Sequence, residues 1–339
     1  MKKKKIEVNI DIENEFKTKG HVDSFLAANK KDAKLLLGPH MKRFVYVDCP
    51  VCASKKMKRE FVKEKFSYYI CLVCDSLFVN PRPTKKMLNH FYKHSKSSIM
   101  STQSLIDNES GRRKMVFLPR MRLIVDFLEK ANKLKGRLLD VGCSVGTFLE
   151  LIKNKTNFIV EGLEPDEIAY RVALKKGLKV YKTSLEDFLC TETHYDVIVS
   201  FEVMEHVFSP YNVLCKISSL LRKGGYFILA SMNSHGLDMM FLWKHYKNVH
   251  APCHLNFFNI DAVDILLNRV GFKVVKKMTP GFMDVSTIIK QIEKGRGPEI
   301  PPFFKYLLFN TNSNTLENFQ GFIKHNCLSG HMLIFAQKV

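Results

Sequence analysis

The length, composition and charge of the chain are typical of a folded, basic protein of more than one domain. Its 339 residues are 46% hydrophobic, enough to bury a full core, and 53 Lys and Arg against 33 Asp and Glu give a formal net charge of +20. No stretch approaches 18 uninterrupted apolar residues, and the first residues lack the hydrophobic segment of a secretory signal peptide. We therefore predict no membrane span and no secretory leader, and expect a cytoplasmic protein.

The positive charge is concentrated in the first part of the chain. Residues 1–135 hold 30 Lys and Arg against 14 Asp and Glu, whereas residues 136–339 hold 23 against 19. Such a surface could bind phosphate-bearing partners, namely RNA, an anionic membrane face or a nucleotide-sugar diphosphate. Because lysine is abundant along the whole chain, composition alone is an equally simple explanation. Residues 1–44 form a basic N-terminal extension with a helix predicted at 22–37 and ended by Gly38 and Pro39, and we assign it no chemistry.

Residues 45–83 carry two Cys-x-x-Cys pairs with 18 residues between them, and these pairs are Cys49 with Cys52 and Cys71 with Cys74. Each pair forms a turn that presents two thiolates on one face, and four thiolates complete the tetrahedral shell of a closed structural zinc site. A predicted β-hairpin at 58–69 brings the pairs together. Disulfides are disfavoured in a reducing compartment, and a redox role lacks its βαβ setting. We expect a zinc ribbon that shapes one wall of the substrate site and leaves no coordination position open for chemistry.

The other five cysteines are scattered, as buried or loop thiols usually are. They are Cys143, Cys190, Cys215, Cys253 and Cys327.

Residues 84–135 are predicted to be a linker with leading helices. A helix is expected at 84–92, and the Ser/Lys-rich segment 93–108 reads as a linker or a mobile lid, with the linker favoured. Apolar spacing predicts a further helix at 113–133 that leads into the first core strand.

From residue 136 onward strands and helices alternate, which predicts a parallel sheet with right-handed crossovers. Between the sixth and seventh predicted strands, residues 281–330 are an insertion too long for a bare loop, and we expect helices there. These helices could cover the active site or form a dimer contact. The seven strands are predicted at 137–141, 158–163, 178–183, 195–200, 226–230, 272–277 and 331–337.

The first of these strands leads into a turn typical of nucleotide-binding folds. Asp140 stands at the end of the strand, Gly142 and Gly146 let backbone pass close to a ligand, and a helix predicted at 147–153 presents free N–H groups. Glu164 ends the second strand 22 residues after Gly142, about where an acid binds ribose hydroxyls. The glycine spacing is neither that of dinucleotide sites nor that of a triphosphate loop.

Taken together, these motifs resemble class I S-adenosylmethionine (SAM) methyltransferases. The resemblance covers about residues 115–339 and rests on 140–146, Glu164-Pro165, the segment 195–206 and Leu221-Arg222-Lys223-Gly224-Gly225. It implies an α/β, Rossmann-like seven-stranded sheet over residues 136–339 whose last strand is antiparallel. Within this superfamily the chain resembles bacterial enzymes that carry an N-terminal zinc module and act on sugar nucleotides or other small metabolites.

The resemblance also implies how the cofactor SAM is held. Its methionine part would lie against Asp140, Gly142, Cys143 and Gly146, and Glu164 would accept hydrogen bonds from two ribose hydroxyls. Glu186 could accept from the adenine amine, although it could equally cap the next helix. Phe201 and Glu202 would line the methyl-donor pocket.

Two histidines are candidate catalytic residues. His254 lies in a segment that resembles the Tyr-x-Glu-His segment of sugar C-methyltransferases, where the histidine removes the substrate proton. Here Cys253 replaces the glutamate and Ala251 the tyrosine, which weakens carbon methylation more than oxygen methylation. His206 could be a base or could orient a loop. The nearby aromatic residues could stack on a nucleobase or sugar, or belong to the core, and they are Phe241, Trp243, Tyr246, Phe257 and Phe258.

The favoured interpretation is a methyltransferase in carbohydrate biosynthesis or a related pathway, with a nucleotide-linked sugar or similar small molecule as acceptor. An RNA methyltransferase that holds RNA through its basic zinc module is the alternative. Against it, the sequence lacks an Asn-Pro-Pro-Tyr-like motif after the fourth strand and a stripe of interleaved Arg and aromatic residues. A non-catalytic binding module is the third interpretation, disfavoured because Asp140, Gly142 and Glu164 are intact.

Overall fold

Two β-sheets organise the residues that the computed structural model describes, 21–189 and 194–339. The small sheet has the strand order β1-β2-β3-β9 and the large sheet the order β10-β11-β8-β7-β4-β5-β6. The strands are β1 Met57–Lys63, β2 Phe66–Cys71, β3 Leu77–Val79, β4 Lys135–Val141, β5 Asn157–Leu163, β6 Val180–Tyr181, β7 Tyr195–Phe201, β8 Leu221–Met232, β9 Asn256–Phe257, β10 Phe272–Met278 and β11 His331–Lys338.

The large sheet confirms the predicted fold class. Strands β4 to β8 are parallel in the order of a doubly wound nucleotide-binding sheet, and β11 inserts antiparallel between β8 and β10. Its central strands are apolar on both faces, as expected for strands covered by helices on both sides. All seven predicted strands are present, although β6 has only two residues and β8 begins five residues before the predicted start.

Helices connect and flank the strands of this sheet. Three of them begin at residues whose side chains accept hydrogen bonds from first-turn N–H groups: Asp166, Ser209 and Asn259. The described helices of this part of the chain are Leu118–Lys130, preceded by the π-helical turn Arg113–Phe117, Thr147–Lys155, Glu167–Lys175, Pro210–Leu220, Leu237–Leu242 and Ile260–Asn268. Among the residues described, no helix is both long and apolar enough to cross a membrane.

The prediction of a linker at 93–108 is wrong. Helix Lys85–His94 is followed after one residue by helix Lys96–Asp107, which packs on the N-terminal helix His21–Asp32. Ser95 caps the second helix, and Asp32 Oδ2 accepts a hydrogen bond from the Ser97 backbone N–H at 2.7 Å. Packing against a neighbouring helix thus overrides the weak helix propensity of a Ser-rich sequence.

The N-terminal helix forms where it is predicted and continues as a π-helical turn, Ala33–Leu37, and a 3₁₀ helix, Gly38–Arg43. Asn29 is buried, and its side chain contacts both Ala251 O at 3.3 Å and Cys253 Sγ at 3.0 Å. The described part of the extension is therefore packed against the loop that carries His254.

The predicted insertion is helical, with helices Asp284–Glu293, Pro302–Asn310 and Ser313–His325. Asp284 ties them to the start of β11, because its carboxylate accepts hydrogen bonds from Ser329 Oγ at 2.6 Å and from Gln320 Nε2 at 2.7 Å. The sheet edge and the insertion thus form one hydrogen-bonded unit.

Candidate active site

The site lies where β4, β5 and β7 end. Because these strands are parallel neighbours, Asp140 at the end of β4, Glu164 after β5 and Glu202 after β7 come to the same edge of the sheet. Ligands of open α/β sheets bind at this edge.

The turn after β4 needs its glycines. Gly142 and Gly146 have positive φ angles of 76° and 75°, and a Cβ at Gly142 would lie 2.5 Å from Val203 Cγ2. The backbone N–H groups of Gly142 and Cys143 both donate to Leu163 O, at 2.9 and 3.0 Å. These bonds fix the turn against the end of β5, next to Glu164.

Both carboxylate oxygens of Glu164 accept backbone hydrogen bonds. Oε2 accepts from Ser144 N and Oε1 from Asp166 N, each at 2.8 Å. Burial raises the pKa of Glu164 to about 7, although these two bonds act in the opposite direction. Each oxygen keeps a further lone pair, so the carboxylate can still accept from two hydroxyls.

Asp140 is a buried carboxylate that accepts no hydrogen bond from the described residues. Burial, together with the charge of Glu164, raises its pKa to about 8. Burial and the charge of Asp140 also raise the pKa of the neighbouring Cys143 thiol. Two buried acids side by side form a site that a cationic group would stabilise.

Glu202 is held at the end of β7 in a left-handed conformation, φ 55°. Its Oε1 lies 3.0 Å from Arg120 Nη2 and 3.7 Å from His331 Nδ1. Burial alone would raise its pKa, but the bonds and charges of His331 and Arg120 lower it. The Arg120 guanidinium also lies 4.7 Å from the ring centroid of Phe201, so one arginine fixes both predicted lining residues.

The two candidate catalytic histidines are neighbours, which sequence reasoning missed because it treated them separately. The ring centroids of His206 and His254 are 4.7 Å apart. Nδ1 of His206 lies 2.7 Å from Cys253 O, and Nδ1 of His254 lies 2.6 Å from Asn248 O. Since a carbonyl can only accept, each Nδ1 carries the proton and each neutral ring keeps its lone pair on Nε2.

Removal from water lowers the pKa of both histidines, and the neighbouring His250 and His206 rings lower that of His254 further. For Glu205, burial and the charge of Glu202 raise the pKa. The group therefore holds two neutral imidazoles beside a buried carboxyl group.

Two residues that sequence reasoning did not single out hold this arrangement. Asn256 Nδ2 donates to Met204 O at 3.2 Å and to Val207 O at 2.8 Å. Arg82 Nη1 in turn donates to Asn256 Oδ1 at 3.0 Å and to Phe208 O at 2.9 Å. No local pattern could reveal these contacts, since Arg82 and Asn256 are 174 residues apart.

The other residues predicted to contact a ligand are Glu186 and five aromatic residues, and their placement does not by itself assign them a role. Glu186 is exposed and lies 3.7 Å from Lys85 in an ion pair, so its role at the adenine amine stays a prediction. Of the five aromatic residues near the site, Tyr246, Phe257 and Phe258 belong to the core. Phe241 and Trp243 are partly exposed.

The four paired cysteines come together as predicted. Cys49 Sγ lies 3.6 Å from Cys74 Sγ, Cys52 Sγ lies 3.5 Å from Cys71 Sγ, and all four sulfurs lie within 4.8 Å of one another. Sulfurs around a tetrahedral zinc ion at about 2.3 Å are about 3.8 Å apart, so the four side chains fit that ion. Of the other cysteines, Cys190 lies outside the described residues.

The cysteine-bearing module is joined to the rest of the chain by β-pairing and side chains. Strand β3 pairs with β9, and Asn259 Nδ2 donates to Cys74 O at 2.8 Å. Beside this contact lies a cavity of about 80 Å³, lined by Ile70, Asp75, Leu77, Ser234, His235, Met240 and Trp243. The hydroxyl of Ser234 is buried and has no partner within the described chain.

Comparison with known proteins agrees with this geometry. Residues 113–277 match the family described as methyltransferase domain. This part of the chain is similar to methyltransferase domains, and its sheet has the strand order predicted for the class I fold. The family match and the strand order support the predicted enzyme class, for which the sequence resemblance implies the cofactor SAM.

Curated relatives of the methyltransferase domain include two ubiquinone biosynthesis O-methyltransferases. That of Haemophilus ducreyi is 34% identical over 116 residues, which are 31% of this chain and 49% of that protein. That of Vibrio cholerae is 33% identical over 121 residues, 34% of this chain and 49% of that protein. The chain thus spans about half the length of the curated relatives it matches. Among solved structures, a plantazolicin methyltransferase is 16% identical with a TM-score of 0.47, over 74% of this chain and 93% of that one.

Proposed function

We propose that the protein transfers the methyl group of SAM to a hydroxyl oxygen of a small acceptor, of the class of nucleotide-linked sugars or related metabolites. The observation that carries this proposal is the placement of Asp140, Glu164 and Glu202 at the ends of three neighbouring strands of a methyltransferase domain. Oxygen is favoured over carbon because Ala251 and Cys253 replace the tyrosine and glutamate of the carbon-methylating segment. The curated relatives named above are also O-methyltransferases.

In this proposal the turn after β4 and Glu164 hold the cofactor. SAM supplies an activated methyl group on a sulfonium. The buried Asp140 carboxylate, which no described residue bonds, suits a positively charged ligand, and Gly142, Cys143 and Gly146 give the backbone access to it. Glu164 binds the ribose hydroxyls, Glu186 the adenine amine, and Phe201 with Glu202 the methyl-donor pocket.

The His206–His254 pair is where the acceptor hydroxyl loses its proton. Each ring has its Nδ1 engaged by a backbone carbonyl and its Nε2 lone pair left for the site. His254 is the candidate general base, and His206 is the second catalytic candidate beside it. The protein's remaining task is to align the acceptor oxygen with the methyl carbon and the sulfur.

The cysteine module supplies structure and one wall of the acceptor site in this proposal. Zinc bound by its four thiolates closes the module and holds no open position for chemistry. The cavity between β3 and the chain after β8 lies at this junction, and the hydroxyl of Ser234, which has no partner among the described residues, gives it a polar group for an acceptor.

The experiment that tests the proposal is a label-transfer assay. The purified protein is incubated with methyl-labelled SAM and an extract of its own host that contains both small molecules and RNA. We expect label in the small-molecule fraction, with loss of label in Glu164→Gln and not in the exposed control Glu167→Gln. RNase-sensitive label with a steep dependence on salt would instead support the RNA alternative, for which the basic charge of residues 1–135 is the supporting observation.

A further inference from the structure

We infer that Glu205, His206 and His254 form a binding site for one divalent transition-metal cation at the acceptor side of the active site. The inference deepens the proposed function and rests on it for the cation's role. One ligand atom from each of the three side chains lies within 4.8 Å of the others. Ligands of a single ion at about 2.1 Å lie about 3 to 4 Å apart, so the three ligand atoms need to close by at most about 1 to 2 Å.

Both histidines are prepared as metal ligands. A metal-binding imidazole usually donates its other N–H to a carbonyl or carboxylate, which fixes the ring and leaves the second nitrogen for the metal. His206 and His254 make this bond through Nδ1, to Cys253 O and to Asn248 O. Their Nε2 atoms are the coordinating nitrogens.

The three ligands come from two segments that are clamped together. The backbone N–H groups of Leu255 and Asn256 donate to Glu205 O at 2.8 and 3.2 Å. Asn256 holds the chain on either side of Glu205 and His206, and Arg82 holds Asn256. The ligand positions are therefore set by the fold in advance of binding.

Glu205 is a buried acid without a positively charged partner among the described residues. Glu205 is 1% exposed, and Ser231 Oγ donates to its Oε2 at 3.1 Å. Burial and the charge of Glu202 raise the pKa of Glu205, and Glu202 itself is paired with Arg120 and His331. Within residues 21–189 and 194–339, no Lys or Arg pairs with Glu205. A buried carboxylate in this position is costly without a counter-charge.

Two imidazoles and a carboxylate suit Mn²⁺, Co²⁺ or Zn²⁺ better than Ca²⁺, which prefers an all-oxygen shell. Three protein ligands leave positions open for oxygens of the acceptor. A cation there lowers the pKa of an acceptor hydroxyl that it contacts. The proton leaves to solvent, the oxygen forms its bond to the methyl carbon, the carbon–sulfur bond breaks, and S-adenosylhomocysteine results. In this form His254 acts as a ligand rather than as a base.

The test measures Mn²⁺ binding to the full chain in two ways, by calorimetry and by the electron paramagnetic resonance signal of free Mn²⁺. Zinc content is measured in parallel to show that the four-cysteine site stays loaded. We expect one Mn²⁺ per chain, with affinity reduced at least tenfold in Glu205→Gln and in His254→Gln. His245→Gln, which removes an exposed histidine of the same segment, should bind as wild type does. Thermal stabilisation by SAM shows that each variant is folded.

Absence of Mn²⁺ binding to the wild-type chain, or equal binding in Glu205→Gln and wild type, would overturn the inference. Label transfer from SAM is measured in the same preparations. Methyl transfer without cation binding would overturn the cation site and leave the proposed function standing. Cation binding by these residues without any methyl transfer would overturn the proposed function and leave the cation site standing.

Discussion

The His206 Nδ1–H donates to the carbonyl of Cys253 at 2.7 Å, which joins the histidine after β7 to the loop that carries His254. The same carbonyl accepts from Tyr92 Oη at 3.0 Å. Residues from the end of the central strand, from the helix Lys85–His94 and from the loop before β9 thus meet at one backbone oxygen. The catalytic candidates are held by parts of the chain that are up to 161 residues apart in sequence.

Replacing His254 by alanine should remove most of the turnover and leave SAM affinity unchanged. Proton removal by a positioned group contributes about 10²- to 10⁴-fold to a rate, and the SAM contacts proposed here lie on β4, β5 and β7. Turnover and SAM dissociation constants are compared with those of His245→Ala, an exposed histidine nearby. Wild-type turnover in His254→Ala would remove this residue from the mechanism.

The contribution of Asp140 to the stability of the SAM-free protein should fall as pH rises from about 4 to 8, and Asp140→Asn should remove this contribution. The pKa of Asp140 is raised to about 8 in the folded chain, so folding favours its protonated form. Its stabilising contribution is therefore present at low pH and is lost as pH rises through the folded pKa, by at most about 1.4 kcal/mol per pH unit.

The measurement is the free energy of urea unfolding at several pH values for wild type, Asp140→Asn and the exposed control Asp126→Asn. The control should keep the wild-type slope. Parallel curves for all three proteins would show that Asp140 is ionised in the SAM-free fold.

Replacing Cys71 by serine should abolish zinc binding and reduce methyl transfer at the same time. Strand β3 begins six residues after Cys71 and pairs with β9, which follows the His254 loop directly. Loss of the metal therefore loosens the support of the catalytic candidates. Metal content is measured by mass spectrometry, the fold by circular dichroism, and methyl transfer by label from SAM. The control is Cys215→Ser, which changes an exposed cysteine outside the cluster. An intact fold in metal-free Cys71→Ser would contradict a structural zinc site.

Much of the fold was predictable because its signals are local. Apolar segments predicted the seven strands of the large sheet, and the Cys-x-x-Cys pairs predicted the cluster of four cysteines. The linker prediction at 93–108 failed because the burial of Ser97 comes from a helix more than 60 residues away. For the same reason His206 and His254 were found as single candidates, while their pairing depends on Asn256 and Arg82, distant contacts that no sequence period records.

Replacing Arg82 by lysine should lower stability by about 2 kcal/mol and reduce turnover more than SAM affinity. Arg82 is fully buried and bonds Val79 O, Phe208 O and Asn256 Oδ1, a set that an ammonium group cannot match in geometry. It is a positioning residue, so the KM for SAM should stay within about twofold while kcat falls. A rise in the KM for SAM as large as the fall in kcat would indicate a general structural role instead.

The central claim is methyl transfer from SAM to an oxygen of a small acceptor. It is tested most directly by incubating the purified protein with trideuteromethyl-labelled SAM and the small-molecule fraction of its host, followed by mass spectrometry and NMR of the compound that gains the label. The account predicts one small metabolite that carries the trideuteromethyl group on oxygen, formed by wild type and not by Glu164→Gln or His254→Ala. Label found only in RNA, on carbon, or equally in the variants would contradict it.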